Sequence, residues 1–431
     1  MNRLLPCACA AALLSVLPVP APARGAAAGP YGLPTLPRAD FNRLAARAGI
    51  PLHWTADDAT PGTPDPAEVA VLGVPADRAA WVKGATFTPR FERAWRQIVE
   101  MRRLEAVRLE LDRGFPTRVA TDLSGLPAAE KDLVRRLLAA GERVDRLYRT
   151  QVGATALEPH IARADPESRA LFERNHGPWC VAPGTEKDPF CNALPDFPAR
   201  RWDAYPADEV HETALCERLA AHPDRAALMA PFAVVRRQGD GLAAVPLNQA
   251  YGREMTAIAK DLEAAAKAAG AAGGEEALSR YLLSAAGGFR TNDWADADEA
   301  WAAMNSTNSR WYLRVGPDEV GWDLCNEKAG FHLALARTDG SAIDMQGRLS
   351  ALRDEMERSL AALIGAPYAA RPVSFHMPDF IEVVYNAGDS RPALGGVLGQ
   401  SLPNWGRVAT EGRGRTVVMT NLYQDPDSRS V

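Results

Sequence analysis

Along the first half of the chain, apolar residues recur at intervals of three and four, the period that gathers them on one face of a helix. Between Pro89 and Arg113 the stripe is Phe91, Trp95, Ile98, Val99, Met101, Leu104, Val107 and Leu111, with charged residues between them. This predicts a core-facing helix; aromatic and methionine residues at such spacing belong to a core rather than to a cofactor pocket. From Ala128 to Val152 the pattern repeats in Leu133, Leu137, Leu138, Val144, Leu147 and Tyr148, with Leu126-Pro127 at its start. Shorter helices are predicted over about 40–48, 166–175 and 207–221. The alanine-rich stretch 255–286, interrupted by Gly270 and Gly273-Gly274, reads as two helices joined by a corner.

Beyond residue 290 the period changes. A helix is predicted over 294–304 and an amphipathic one over 343–364, while strand-like runs occupy 311–315, 331–336, 373–375, 380–385 and 416–421. The expected fold class is α+β. A mainly helical region covers 24–290, and an α+β region built on a small antiparallel or barrel-like sheet covers 291–431.

The N-terminus adds a destination. Residues 1–23 carry Arg3 as their only charge, an apolar run from Leu4 to Val19 and small residues at Ala21-Pro22-Ala23, the pattern of a secretory signal cleaved near Ala23. The place and context of Cys7 argue against lipid attachment. A periplasmic or secreted location is expected, with no membrane partner after cleavage, because no other window is long and apolar enough to span a bilayer. The whole chain has a net charge of -5, which disfavours nucleic acid as a partner. Hydrophobic residues at 47% and charged residues at 24% suit a globular protein with a sizeable core.

Export gives the cysteines a role. Cys7 and Cys9 leave with the signal, and Cys180, Cys191, Cys216 and Cys325 remain, for which three pairings exist. Cys180 with Cys191, closing a short loop, and Cys216 with Cys325 are favoured. A metal site is disfavoured, since the spacing is not Cys-x-x-Cys and His176 has no partner at ligand spacing. His176 itself, at a helix end, is read as bonding the last helical carbonyls rather than as a site residue.

The densest chemistry lies late, in Gly399-Gln400-Ser401-Leu402-Pro403-Asn404-Trp405, which is followed by Glu411-Gly412. By residue type alone this is a strand edge, in which a tight loop precedes a short strand, because Pro403 lacks a backbone donor and the glycines relieve backbone crowding. The string also resembles the loop of dipeptidyl-peptidase III-type zinc metallopeptidases, in which Gly-x-Asn-Leu/Ile-Pro-Asn-Tyr precedes Glu-Gly. In that family the loop lies in the substrate cleft and its asparagine amides hold the peptide backbone. The resemblance therefore implies that Asn404 binds substrate, with Ser401 in place of the other asparagine and Trp405 in place of the tyrosine. A serine hydroxyl can donate and accept, but over a shorter reach than an amide.

A second stretch, from Asn308 to Glu319, resembles the family segment leading into a Glu-x-Tyr element. There the glutamate binds the substrate's amino terminus and the tyrosine polarises the scissile carbonyl. Glu319 matches the glutamate. Gly321 stands where the tyrosine would be, and the neighbouring Trp322 has no hydroxyl to offer an oxyanion.

The resemblance further implies zinc, held by a His-Glu-x-x-x-His helix and a later glutamate, all C-terminal to the loop. The sequence reaches Val431 before any such helix. His211-Glu212 has no second histidine at the required spacing, and adjacent helical positions diverge by about 100°. The expectation is an exported dipeptidyl-peptidase III-like protein, truncated, misframed or diverged. It would hydrolyse peptides only if a C-terminal zinc lobe exists, and it would hold no cofactor in this chain.

Two alternatives stand beside it. One is a non-catalytic periplasmic peptide-binding protein. The other is a serine hydrolase using Ser401, or the serine of Gly388-Asp389-Ser390, with His332 or His376; but Gly399–Pro403 lacks the final glycine of a nucleophile elbow. Asp318 and Glu319 are otherwise read as solvated loop carboxylates, His376 as a packed histidine, and Arg413 and Arg415 as solubilising charge.

Overall fold

A computed structural model describes residues 30–55, 61–73, 75–114, 119–209, 214–372 and 378–423. The signal-like segment, His211, Glu212, His376 and the strand expected at 373–375 lie outside them.

Helix α1 (Pro89–Arg113) opens with Pro89, whose missing donor costs nothing in a first turn. Its buried residues Phe91, Trp95, Ile98 and Val107 form a core with Phe41, Leu171 and Phe172. Helix α2 (Ala128–Gln151) buries Leu137, Val144 and Leu147 in a larger core, which it shares with α3 (Gly252–Ala272) and α4 (Glu276–Thr291). The corner between α3 and α4 falls at Gly273 and Gly274, as the pattern predicts. Helix α5 (Ala295–Ala303) follows, and α6 (Gly340–Ile364) lies further on. The helix expected over 207–221 is formed only from Leu215 to Ala221 among the described residues.

Five strands make the main sheet: β1 (Trp311–Glu319), β2 (Gly330–Thr338), β3 (Asp379–Gly388), β4 (Gly399–Leu402) and β5 (Arg415–Met419). Their order is β4-β5-β3-β2-β1, antiparallel except for the parallel pair β5 and β3. The fold class is α+β, but the described sheet is open and mixed, not barrel-like: β4 and β1 are its two edges. Gly399–Leu402, read as a strand edge, is the edge strand β4. The run at 416–421 ends as a strand at Met419 and turns into a helical segment, Thr420–Tyr423.

Strands β1 and β2 outrun their apolar cores. All residues from Trp311 to Asp318 are buried, so both faces of β1 are covered, α4 packing on it while α2 lies on β2 and β3. The disulfides are Cys180–Cys191 and Cys216–Cys325. The second of these fastens the β1–β2 connection beside a third cluster that includes Trp202, Tyr205, Leu215 and Leu219. No described helix is long and apolar enough to cross a membrane.

Candidate functional site

The site grows from the end of β1. A register shift between Pro317 and Glu319 separates Asp318, which is buried, from Glu319, which is partly exposed. Arg314, four residues earlier, donates from Nε to Asp318 Oδ2 at 2.7 Å and also from Nη2 to the other oxygen. His332 Nε2 lies 2.8 Å from Asp318 Oδ2, and Arg314 Nη1 lies 2.8 Å from Asp298 Oδ1. Asp318 and Glu319 are thus strand residues, not a solvated loop pair.

Burial alone would raise the Asp318 carboxyl, but Arg314 and His332 outweigh it and hold the group well below the usual carboxylate range. Glu319 has no ion pair among the described residues: burial raises it above its ordinary value, and His332 and the more weakly acting Arg314 offset this only in part. Asp298 is also raised, by burial against the pull of Arg314. One buried arginine therefore sits between two acids, with its guanidinium 4.9 Å from the centre of the Trp301 ring.

The loop after β4 brings the second group. Leu402 and Pro403 are buried while Asn404 is exposed. Asn404 Nδ2 donates to the Asp318 carbonyl at 3.1 Å and to Glu319 Oε2 at 3.2 Å. The structure thus brings Glu319 and Asn404, 85 residues apart, into one hydrogen-bonded pair. Trp405 packs edge-on against Phe232 at 5.4 Å, and Phe232, Trp294, Asp298, Arg314, Pro403 and Trp405 line an adjoining cleft of about 250 Å³.

Ser401 is not part of that pair. It lies on the edge strand, exposed, with its hydroxyl 2.8 Å from that of Thr416 on β5, in an open groove along β4 and β5. No histidine bonds it among the described residues, and His332 is buried against Asp318. Ser390 is buried too.

Gly321 has φ +113° and is exposed, so a tyrosine there would be strained whatever space it had. Trp322 packs inward instead: its carbonyl accepts from Trp202 Nε1 at 2.9 Å and its ring meets Tyr148 edge-on at 5.9 Å. Tyr148 donates to Asp389 Oδ1 at 3.0 Å, and burial pushes the Asp389 carboxyl up to about 6. Asp389 follows Gly388, whose φ of +60° and closeness to the Phe331 carbonyl exclude a side chain.

Several polar residues have roles that residue type alone missed. His176 does not cap its helix; it bridges to Arg391, with Nε2 3.1 Å from the Arg391 carbonyl and Nδ1 3.1 Å from its Nη2. Burial and Arg391 lower it to about 4. Arg413 pairs with Glu299 and Glu411, and Arg415 with Asp379, so neither is free solubilising charge. Tyr148 was hidden in an apolar stripe, and Asp298 in a helical segment without any motif.

Zinc can be tested against the residues present. The one group of three or more His, Cys, Asp or Glu at ligand spacing among the described residues is Glu110 with Cys180 and Cys191. Those two sulfurs are bonded to each other, so the trio does not fit a zinc ion.

No model of a protein family matches the chain, and no curated protein matches it. Solved structures do: the chain has a dipeptidyl-peptidase III-like fold. It is similar to dipeptidyl-peptidase III from Caldithrix abyssi, at 25% identity and a TM-score of 0.62 over 74% of this chain and 60% of that one. It is similar also to dipeptidyl-peptidase III from Corallococcus sp. strain EGB, at 25% identity and a TM-score of 0.59 over 74% and 59%. The chain spans about three-fifths of the length of these relatives.

Proposed function

We propose that this protein binds peptides by their free amino terminus at Glu319 and Asn404, as the substrate-holding part of a dipeptidyl-peptidase III-type architecture. The observation that carries this reading is the bridge made by Asn404 Nδ2 between the Asp318 carbonyl and Glu319 Oε2. It orients a carboxylate that burial has raised and that has no cation of its own, a setting in which an incoming ammonium gains a strong charge-assisted bond. The edge strand β4 leads into the same loop and offers unpaired backbone groups to an extended peptide, with Ser401 beside it. Two disulfides and the signal-like N-terminus support export to the periplasm or beyond.

Hydrolysis of the bound peptide would require a zinc lobe, and no described trio of residues fits that ion. A second reading, binding without turnover, is favoured by Gly321, whose backbone disfavours the family's tyrosine. Calorimetric titration with a tripeptide and its N-acetyl form tests the anchor. Acetylation and Glu319→Gln should each weaken binding by about 30-fold, and Asn404→Ala by about 5- to 10-fold. Equal affinity for free and acetylated peptide would refute the site. Mass spectrometry of the same samples, with zinc added, separates turnover from binding.

A further inference from the structure

The arginines around the cleft are paired: Arg314 with Asp298 and Asp318, Arg391 with Asp145, Arg415 with Asp379. Arg200 is not. Its guanidinium carbon lies 5.2 Å from the centre of the Trp202 ring and 6.0 Å from that of Trp179. Its Nε is wholly buried with no hydrogen-bond partner. Burial lowers its pKa, and the one titratable group that acts back on it is Tyr148, which is no carboxylate. An arginine keeps its charge in proteins, so a sheltered guanidinium without a counter-ion has a solvation cost that an anionic ligand can offset.

A second observation points the same way. Trp322 Nε1 is also buried without an acceptor, and its ring shares the Tyr148 side chain as neighbour. Trp202, which stacks with Arg200, bonds the Trp322 carbonyl. Two N–H donors without partners among the described residues, one of them cationic, are therefore linked through Trp202. Such a set fits a group with a negative charge and acceptor oxygens. Trp322 is only three residues beyond Glu319, and three residues of extended chain reach about 10 Å.

We propose that Arg200, with Trp322, binds the carboxylate of a short peptide whose amino terminus is held at Glu319. This rests on the peptide-binding reading above. The flat guanidinium matches a carboxylate, and the two indoles fix its plane. The carboxylate is either the peptide's C-terminus or an acidic side chain.

Calorimetry with trialanine and trialanine amide, and with Ala-Glu-Ala-amide and Ala-Gln-Ala-amide, distinguishes these sources. The wild-type protein should prefer the carboxylate-bearing member of one pair by about tenfold. Arg200→Gln should cut that preference to less than twofold and leave affinity for the uncharged member unchanged; Arg200→Lys, which keeps charge but not the fork, should fall between. An unchanged preference in Arg200→Gln overturns the proposal. N-acetyl-trialanine separates it from the anchor: if acetylation is harmless yet Arg200→Gln removes the acid preference, the anchor fails and Arg200 stands. Acetate, titrated at constant ionic strength and followed by tryptophan fluorescence, probes Arg200 without a peptide. A saturable response in the wild type that is lost in Arg200→Gln is expected, whereas identical curves overturn the assignment.

Discussion

Replacing Asp389 by asparagine removes a titrating group while keeping an oxygen that can accept the Tyr148 hydroxyl. Burial lifts this carboxyl from its ordinary 3.8 to about 6. Between those values the folded protein binds a proton that the unfolded chain does not, so stability from this group falls as pH rises from about 4 to 6 and then stays level. The full displacement corresponds to about 3 kcal/mol, and the partial exposure of Asp389 trims this to about 2 kcal/mol. His176 acts in the opposite sense. Its folded pKa of about 4, against an ordinary 6.5, makes stability rise over nearly the same range, so these two contributions oppose each other in the wild type. The informative quantity is the difference between variant and wild type in urea unfolding at pH 4.5, 6 and 7.5. Asp389→Asn should be about 2 kcal/mol more stable than wild type at pH 7.5, and the advantage should shrink toward zero near pH 4. A variant less stable at pH 7.5, or an advantage that does not change with pH, would refute the reasoning.

Two further outcomes concern stability alone. Asp318→Asn leaves His332 buried without its carboxylate and Arg314 with Asp298 alone, and should cost about 3 kcal/mol in the same assay; because the folded pKa of Asp318 is depressed, the contribution it removes is present above pH 4 and is lost as pH falls further. Removing Cys216–Cys325, which spans 109 residues, should cost about 5 kcal/mol by chain entropy, against about 3 kcal/mol for Cys180–Cys191, which spans 11; equal losses would show that strain or residual structure dominates.

The long helices were legible because an apolar residue every three or four positions has few other uses: the stripe from Pro89 to Arg113 gives α1 with the same bounds. The strands were legible only where they were apolar. Reading stops at Val315, but β1 runs to Glu319, since Arg314 and Asp318 neutralise each other inside the sheet and so need no solvent. Polar residues that satisfy one another across 100 or more positions leave no periodic trace. The bond between Tyr148 and Asp389 spans 241 positions, and the one between His176 and Arg391 spans 215. Residue type places His176 at a helix end, yet it cannot name Arg391 as the partner.

Several hydroxyls and carboxylates of this part of the molecule are committed to one another. Tyr148 donates a hydrogen bond to Asp389, Ser401 shares one with Thr416, and Gly321 brings no side chain. Asp318 is already paired with Arg314 and lies against His332. Two groups of opposite sign have no ion-pair partner among the described residues: Glu319, which accepts from the Asn404 amide, and Arg200, which lies beside two indoles. An acid and a base left open in this way match the two ends of a zwitterion. The proposed site, with its acid at Glu319 and its cation at Arg200, would discriminate by the spacing between charges, so its selectivity should follow peptide length before it follows side-chain identity.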